Sequence, residues 1–427
     1  MSFVNYGRHT ALFLLFFSGW LLLTVLVPTD RCRAQTLALA DRTLANAKIV
    51  ELQDNSQLRF LIDQKTIGLA YSDICRFNAH PIPQRFPMAI LTDGSCLAVT
   101  SIERRKDQFV FQSHTWENVH VPESLLRAIV VSPAISLDAW YTTLERIYSA
   151  AGRNDQILLA TRGWTDGILI WPDSSDEILQ PDGLQKFRIN NDDTEIPVRE
   201  VEAMIFSPVL TPTSNFKAAG RIGWNDGSLL AASQWRIAQP GDYLELTLRC
   251  GIVLKSLDPP VLLTQKIVSI TQSPKQTRYL SDLEASSYKH VDWLSPKWPL
   301  AKDRDLSGRP LRDSSGIIEK GLAMHATSQA TFRWDKSPAQ FISSIALAPP
   351  SEPGLPNPGQ AIAKVMTMKA GKLETMYTSP ILSSKTQPQD FSVSLEGVEL
   401  IVLIVDAGPN GTLGDHVLWL DTRVHKQ

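Results

Sequence analysis

An internal duplication constrains this chain more than any other feature. Val121-Pro122 … Ala128-Ile129-Val130-Val131-Ser132-Pro133 aligns without gaps to Ile196-Pro197 … Ala203-Met204-Ile205-Phe206-Ser207-Pro208, and a weaker third copy ends in Lys266-Ile267-Val268-Ser269-Ile270. A period of about 75 residues is the mark of small units packed in series. Three Asp-Gly pairs stand between apolar segments, at Leu91-Thr92-Asp93-Gly94-Ser95, Trp164-Thr165-Asp166-Gly167 and Trp224-Asn225-Asp226-Gly227-Ser228. Each predicts a hairpin turn, because Asp-Gly accepts the positive φ that tight turns need. The 27 prolines outnumber the 23 glycines and recur at segment ends, which suits many short strands. The fold class is therefore mainly β, with repeated small barrel or hairpin units.

One segment breaks this pattern. Leu137, Trp140, Tyr141, Leu144, Ile147, Tyr148 and Ala151 fall on a single helical face, with Ser136 placed to N-cap and Gly152 to terminate. Such a stripe covers a sheet or a neighbouring barrel within the chain; a partner surface is the alternative.

The N-terminus reads as an export signal. Arg8 and His9 precede an uncharged apolar run from Ala11 to Val27, then Pro28, and Cys32-Arg33-Ala34 sets up cleavage before Gln35. The run is shorter than the roughly 20 residues of a spanning helix, and an uncleaved anchor is the alternative reading. Both place the mature chain outside the cytoplasm: periplasmic, in the cell envelope or secreted. Cleavage removes Cys32 and leaves Cys75, Cys96 and Cys250, read as free thiols or as a Cys75–Cys96 bridge with one thiol over.

The expected organisation is a signal peptide at 1–34, a first β unit at 35–135, a connecting helix at 136–152, further β units at 153–213 and 214–272, and a C-terminal domain at 278–427. Ser273-Pro274-Lys275-Gln276-Thr277 marks the last boundary. Within the final domain Val393 and Leu395 alternate with Ser392 and Ser394, and Leu400-Ile401-Val402-Leu403-Ile404-Val405 reads as a central strand buried on both faces. The proline-dense stretch 348–359 predicts an exposed excursion.

From Tyr279 onward the chain resembles the NPCBM family, modules with an ascribed carbohydrate-binding role noted at the front of certain glycoside hydrolases. Four blocks in order carry the resemblance: Tyr279-Leu280-Ser281-Asp282-Leu283; Asp303-Arg304-Asp305 with Gly308, Pro310 and Leu311; Lys320-Gly321-Leu322-Ala323-Met324-His325-Ala326-Thr327-Ser328; and Asp415-His416-Val417-Leu418-Trp419-Leu420-Asp421. The resemblance implies a galactose-binding-like jelly-roll β-sandwich covering about a third of the chain. The chain departs from the family after Phe341-Ile342-Ser343-Ser344-Ile345-Ala346-Leu347, where acidic residues are usual and Ala348-Pro349-Pro350 stands instead.

Sugars offer hydroxyl pairs at their rims and C–H patches on their faces, so a site needs charged or planar hydrogen-bonding groups beside an aromatic surface. His325, Asp415, His416, Trp419 and Asp421 are the candidate carbohydrate-binding residues, with Trp293 and Trp298 as further aromatic candidates. Each also has a structural alternative: His325 as a turn pin, Trp419 as core, and likewise Trp164, Trp171, Trp224 and Trp235 in the repeats.

Several classes are disfavoured. A net charge of -2 without a basic stripe argues against nucleic acid. No His-x-His or His-x-x-x-His pair suggests catalytic zinc, and no CxxC, Walker A loop, Gly-x-Ser-x-Gly elbow or Gly-x-Gly-x-x-Gly occurs. Cofactors are not expected; a structural Ca²⁺ is the alternative, with Asp406, Asn410 and Asp415 as oxygen donors at no recognised spacing. The expected function is an exported, non-catalytic carbohydrate-binding protein whose partner is a polysaccharide, with membrane contact only through an uncleaved anchor. An envelope assembly protein with a protein partner is the alternative, and a glycoside hydrolase with an appended module is the third reading.

Overall fold

The computed structural model describes residues 35–426 except 81–83, 85, 135, 161–162, 172–183, 190–191, 214–219, 239–242, 292–296, 314–315 and 351–356. The export signal, Trp293 and the middle of the proline-dense stretch lie outside the described residues.

Among the described residues the repeats are four in number. Each consists of a leading pair of strands, strands that bend away, a short helical turn and a closing strand. The closing strands are Ile74–Phe77, Leu126–Val130, Val201–Ile205 and Ile267–Thr271. Pro122 and Pro197, the aligned prolines, lead into 3-10 turns at Glu123–Leu125 and Val198–Glu200, where a residue without an N–H is tolerated. The first unit, Leu37 to Phe77, shares the architecture without sharing the Asp-Gly signature: its leading strands turn through Asp41-Arg42, closed by the Leu39 N–H on the Arg42 carbonyl.

The units join through strand pairing, in a 14-stranded sheet. Leu126–Val130 lies antiparallel to Val201–Ile205 with Ala128 opposite Ile205 and Val130 opposite Ala203. Because Ala128 aligns with Ala203, the copies exchange equivalent positions about a local two-fold. A second two-fold relates the Asp-Gly hairpins. Ser95 Oγ accepts the Ala231 N–H and Ser228 Oγ accepts the Ala98 N–H, both at 2.9 Å, while Cys96 pairs with Leu229. Asp93 and Asp226 each accept the N–H of the serine two residues on, the local Asx bond that fixes such turns.

The third Asp-Gly pair forms no turn. Asp166 and Gly167 lie inside the strand Gly163–Ile170. Glycine is required there because a Cβ would meet Arg188 O at 2.4 Å and the Phe187 ring at 2.6 Å. Gly167 admits a buried aromatic ring to the strand, a tertiary demand that mimics the local turn cue.

The helix runs Leu137–Ser149, and the Ser136 side chain accepts from the Ala139 N–H as expected. Trp140, Leu144 and Ile147 are buried against Met88, Ile90, Ala128, Val130, Ala203 and Ile205, so the helix covers the sheet where the middle units meet. Ala151, expected on the stripe, is exposed beyond the helix end. Cys75, Cys96 and Cys250 are free thiols, so the Cys75–Cys96 bridge is not formed. Among the described residues no helix is long and apolar enough to cross a membrane.

The C-terminal domain is a β-sandwich of two six-stranded antiparallel sheets. Its core interleaves Leu322, Met324, Phe341, Ile345 and Trp419 of one sheet with Phe332, Val365, Ile401, Leu403 and Val405 of the other. Leu400–Ala407 is the expected central strand, hydrogen-bonded on both edges. The strand Thr277–Tyr279 enters by pairing with the last strand, His416–Lys426.

Candidate functional site

The last strand controls the candidate residues. His416 opens it opposite His325, the final residue of Gly321–His325, in direct cross-strand register. Their rings lie 5.1 Å apart. Two further rings close the cluster: Trp298 stacks on His325 at 5.5 Å and meets His416 at 5.1 Å, and His290 stands 5.3 Å from His325. His290 comes from the opposite sheet, where Ser287–His290 pairs with Ser328–Arg333. His325 is buried, and His290, Trp298 and His416 are partly exposed, so the cluster reaches solvent at one end of the sandwich.

Hydrogen bonding orders the imidazoles. The His325 Nδ1–H donates to the Ala326 carbonyl at 2.5 Å, leaving His290 Nε2 at 3.3 Å as an acceptor for the same donor. Burial, reinforced by the neighbouring His325, pulls His416 down to about 4, so its ring is neutral near pH 7. A neutral imidazole offers one donor and one acceptor, the pairing a sugar hydroxyl needs.

Asp415 sits behind the rings. It is fully buried; its Oδ1 accepts the Gln360 N–H at 2.7 Å, and its own carbonyl accepts the Ala326 N–H. Burial raises it to about 6 against that stabilising N–H. Asp415 thus ties the loop before His416 to the turn after His325 and positions both rings. It presents no free rim carboxylate.

Two expected residues leave the site. Trp419 is wholly buried in the sandwich core, 6.5 Å from Phe391, which excludes it as a sugar platform. Asp421 points elsewhere because the strand bulges: Ile342 pairs with Arg423 but Ser344 pairs with Leu420. Two residues face one partner there, and the simple alternation that would put Asp421 on the Trp419 face is lost. Asp421 instead forms a buried ion pair with Arg76 of the first repeat. Of the expected set, the structure brings together His325, Asp415 and His416, joined by Trp298. His290 was missed, since contact between facing sheets leaves no local periodicity.

The oxygen donors considered for calcium are engaged separately. Asp406 pairs with Lys364 at 2.7 Å, Asn410 donates to the Pro358 carbonyl, and Asp415 is buried as described. Among the described residues no group of three or more His, Cys, Asp or Glu side chains is placed to hold a metal.

Residues 276–425 match the family model of the NPCBM/NEW2 domain. The chain carries a C-terminal NPCBM domain. The NPCBM boundary falls where the strand Thr277–Tyr279 begins, and the match includes every residue of the ring cluster. Among solved structures, the CBM51-2 and INT domains of Clostridium perfringens ZmpB are 19% identical, covering 43% of this chain and 36% of that one at a TM-score of 0.31. The CBM51 of Clostridium perfringens GH95, in complex with methyl-galactose, is 19% identical over 35% of this chain and 99% of that one, TM-score 0.29. The tandem CBM51 modules of Sp3GH98 from Streptococcus pneumoniae are 14% identical over 89% and 88%, TM-score 0.29. TM-scores this low place no residue of one chain on another. No curated protein matches the chain.

Proposed function

We propose that this chain is an exported, non-catalytic protein that binds carbohydrate through its NPCBM domain at the Trp298–His325–His416–His290 cluster. The observation that carries the reading is one indole packed against the imidazoles of His325 and His416, with His290 joined through His325, at the end of the sandwich and with three of the four rings reaching solvent. The indole supplies area for sugar C–H groups, and the neutral His416 supplies paired donor and acceptor capacity. The GH95 module was solved in complex with methyl-galactose, so neutral hexoses are the first compounds to try. The repeats serve as a mount, since buried contacts fasten them to the NPCBM domain.

A glycan array probed with the full chain tests this. Specific retention that Trp298→Ala and His416→Ala each remove, with unchanged circular dichroism, is the expected result. Retention unaffected by both substitutions would place the site elsewhere. A folded chain retained on no glycan would return the domain to a protein-contact role in the cell envelope.

A further inference from the structure

A cavity lies outside the ring cluster, between the repeats and the NPCBM domain. It holds about 640 Å³, within the range of small-molecule sites, and domain junctions are where such sites concentrate. The helix Leu137–Ser149 gives one wall, with Trp140, Tyr141, Leu144 and Tyr148 lining it. The opposite wall is the NPCBM segment carrying Asp303, Arg304, Arg309, Glu319 and Lys320, of which Asp303, Arg304 and Lys320 belong to two of the blocks that carry the family resemblance.

The charges lining this cavity are balanced pair by pair. Arg221 pairs with Glu319, which His80 also approaches at 3.1 Å. Lys320 pairs with Asp303 at 3.2 Å and Arg309 with Asp305 at 2.9 Å. Arg304 pairs with Glu145, and Arg312 with Asp138, across the mouth between helix and domain. An ionic ligand would have to break one of these pairs. A neutral ligand keeps them all, hydrogen-bonding to outer lone pairs of the carboxylates and to the guanidinium of Arg304 at the cavity edge. Opposite them stands an aromatic and aliphatic wall.

We infer that this junction is a second binding site, for a neutral saccharide lying with its C–H face on the helix and its hydroxyls on the ion pairs. It is independent of the ring cluster: the lining includes residues of the repeats, and none of the four clustered rings belongs to it.

Calorimetric titration of the full chain with neutral mono- and disaccharides, with glucuronate as the charged control, tests the inference. Trp298→Ala is expected to keep one class of saturable sites. Thr142→Trp, made at an exposed lining position, is expected to weaken that class at least tenfold without changing the melting temperature. Glucuronate is expected to bind it at least tenfold more weakly. In the unsubstituted chain, saturating neutral sugar should shift the Trp140 indole resonance, a readout that does not depend on how well the variants fold. Loss of all binding in Trp298→Ala, equal binding of glucuronate, or an unmoved Trp140 resonance would overturn the second site. None of those results removes the ring cluster, which stands or falls with Trp298→Ala on the array.

Discussion

Arg76 and Asp421, separated by 345 residues, meet at 2.5 Å with both side chains buried at the junction of repeats and NPCBM domain. Arg423, two residues on, donates to the Asp421 carbonyl and to the carbonyls of Leu39 and Ala40 in the first repeat. The last strand therefore belongs to the sandwich by its hydrogen bonds and to the first repeat by two of its side chains.

Removing one member of that pair leaves a buried charge uncompensated. Asp421→Ala is expected to cost about 3–5 kcal/mol in urea unfolding, while the double replacement Arg76→Met with Asp421→Leu recovers most of it. Glycan retention per folded molecule stays unchanged in both. A single variant as stable as the parent would show that solvent reaches the junction.

Trp419 provides the contrast with Trp298. Trp419→Ala empties the sandwich core and is expected to cost about 3–5 kcal/mol, with Trp419→Phe costing less. Trp419→Phe should retain glycan fully, because the indole never faces ligand. Lost retention in a stable Trp419→Phe chain would contradict the assignment.

The reciprocal serines offer a symmetric test. Ser95→Ala strands the Ala231 N–H and Ser228→Ala strands the Ala98 N–H, both buried, at about 1–3 kcal/mol each. The two losses should agree closely, since the environments are related by a local two-fold. Unequal losses would mean that the hairpins are not energetically equivalent.

Adjacent residues Asp415 and His416 shift in opposite directions, to about 6 and about 4. Between those values the native Asp415 holds a proton that the unfolded chain has released, so this residue alone makes stability fall as pH rises. Native His416 lacks a proton that the unfolded chain holds, so it alone makes stability rise with pH up to its ordinary range near 6.5. Together they nearly cancel from pH 4 to 6. Asp415→Asn should therefore give a melting temperature that climbs more steeply with pH across that window, and His416→Gln one that climbs less steeply. Parallel profiles for parent and both variants would rule out the opposed shifts.

The parts legible in sequence were those written in local periodicity. The helix from Leu137, its Ser136 cap, the central strand from Leu400 and the two aligned closing strands all follow from spacing alone. What stayed hidden depends on contacts far apart in the chain. The first repeat lacks the Asp-Gly turn, so nothing local marks it as a copy. Gly167 answers to the Phe187 ring rather than to a turn, and one bulge turns Asp421 from an expected ligand contact into half of an ion pair. His325 and His416 were legible because they stand in blocks that resemble the family's motifs, and the structure sets those blocks side by side; His290 stands in none of them and arrives from the other sheet.

The pairing of the first and last closing strands, Ile270 opposite Phe77 and Thr271 opposite Arg76, has a consequence for synthesis. A chain made from its N-terminus finishes Ile74–Phe77 long before the strand that will cover that edge exists. Until then the edge stays open to any passing β-strand, its own or another molecule's. Nascent chains halted before residue 271 should be the aggregation-prone species, and a holding chaperone would help this protein most during that interval.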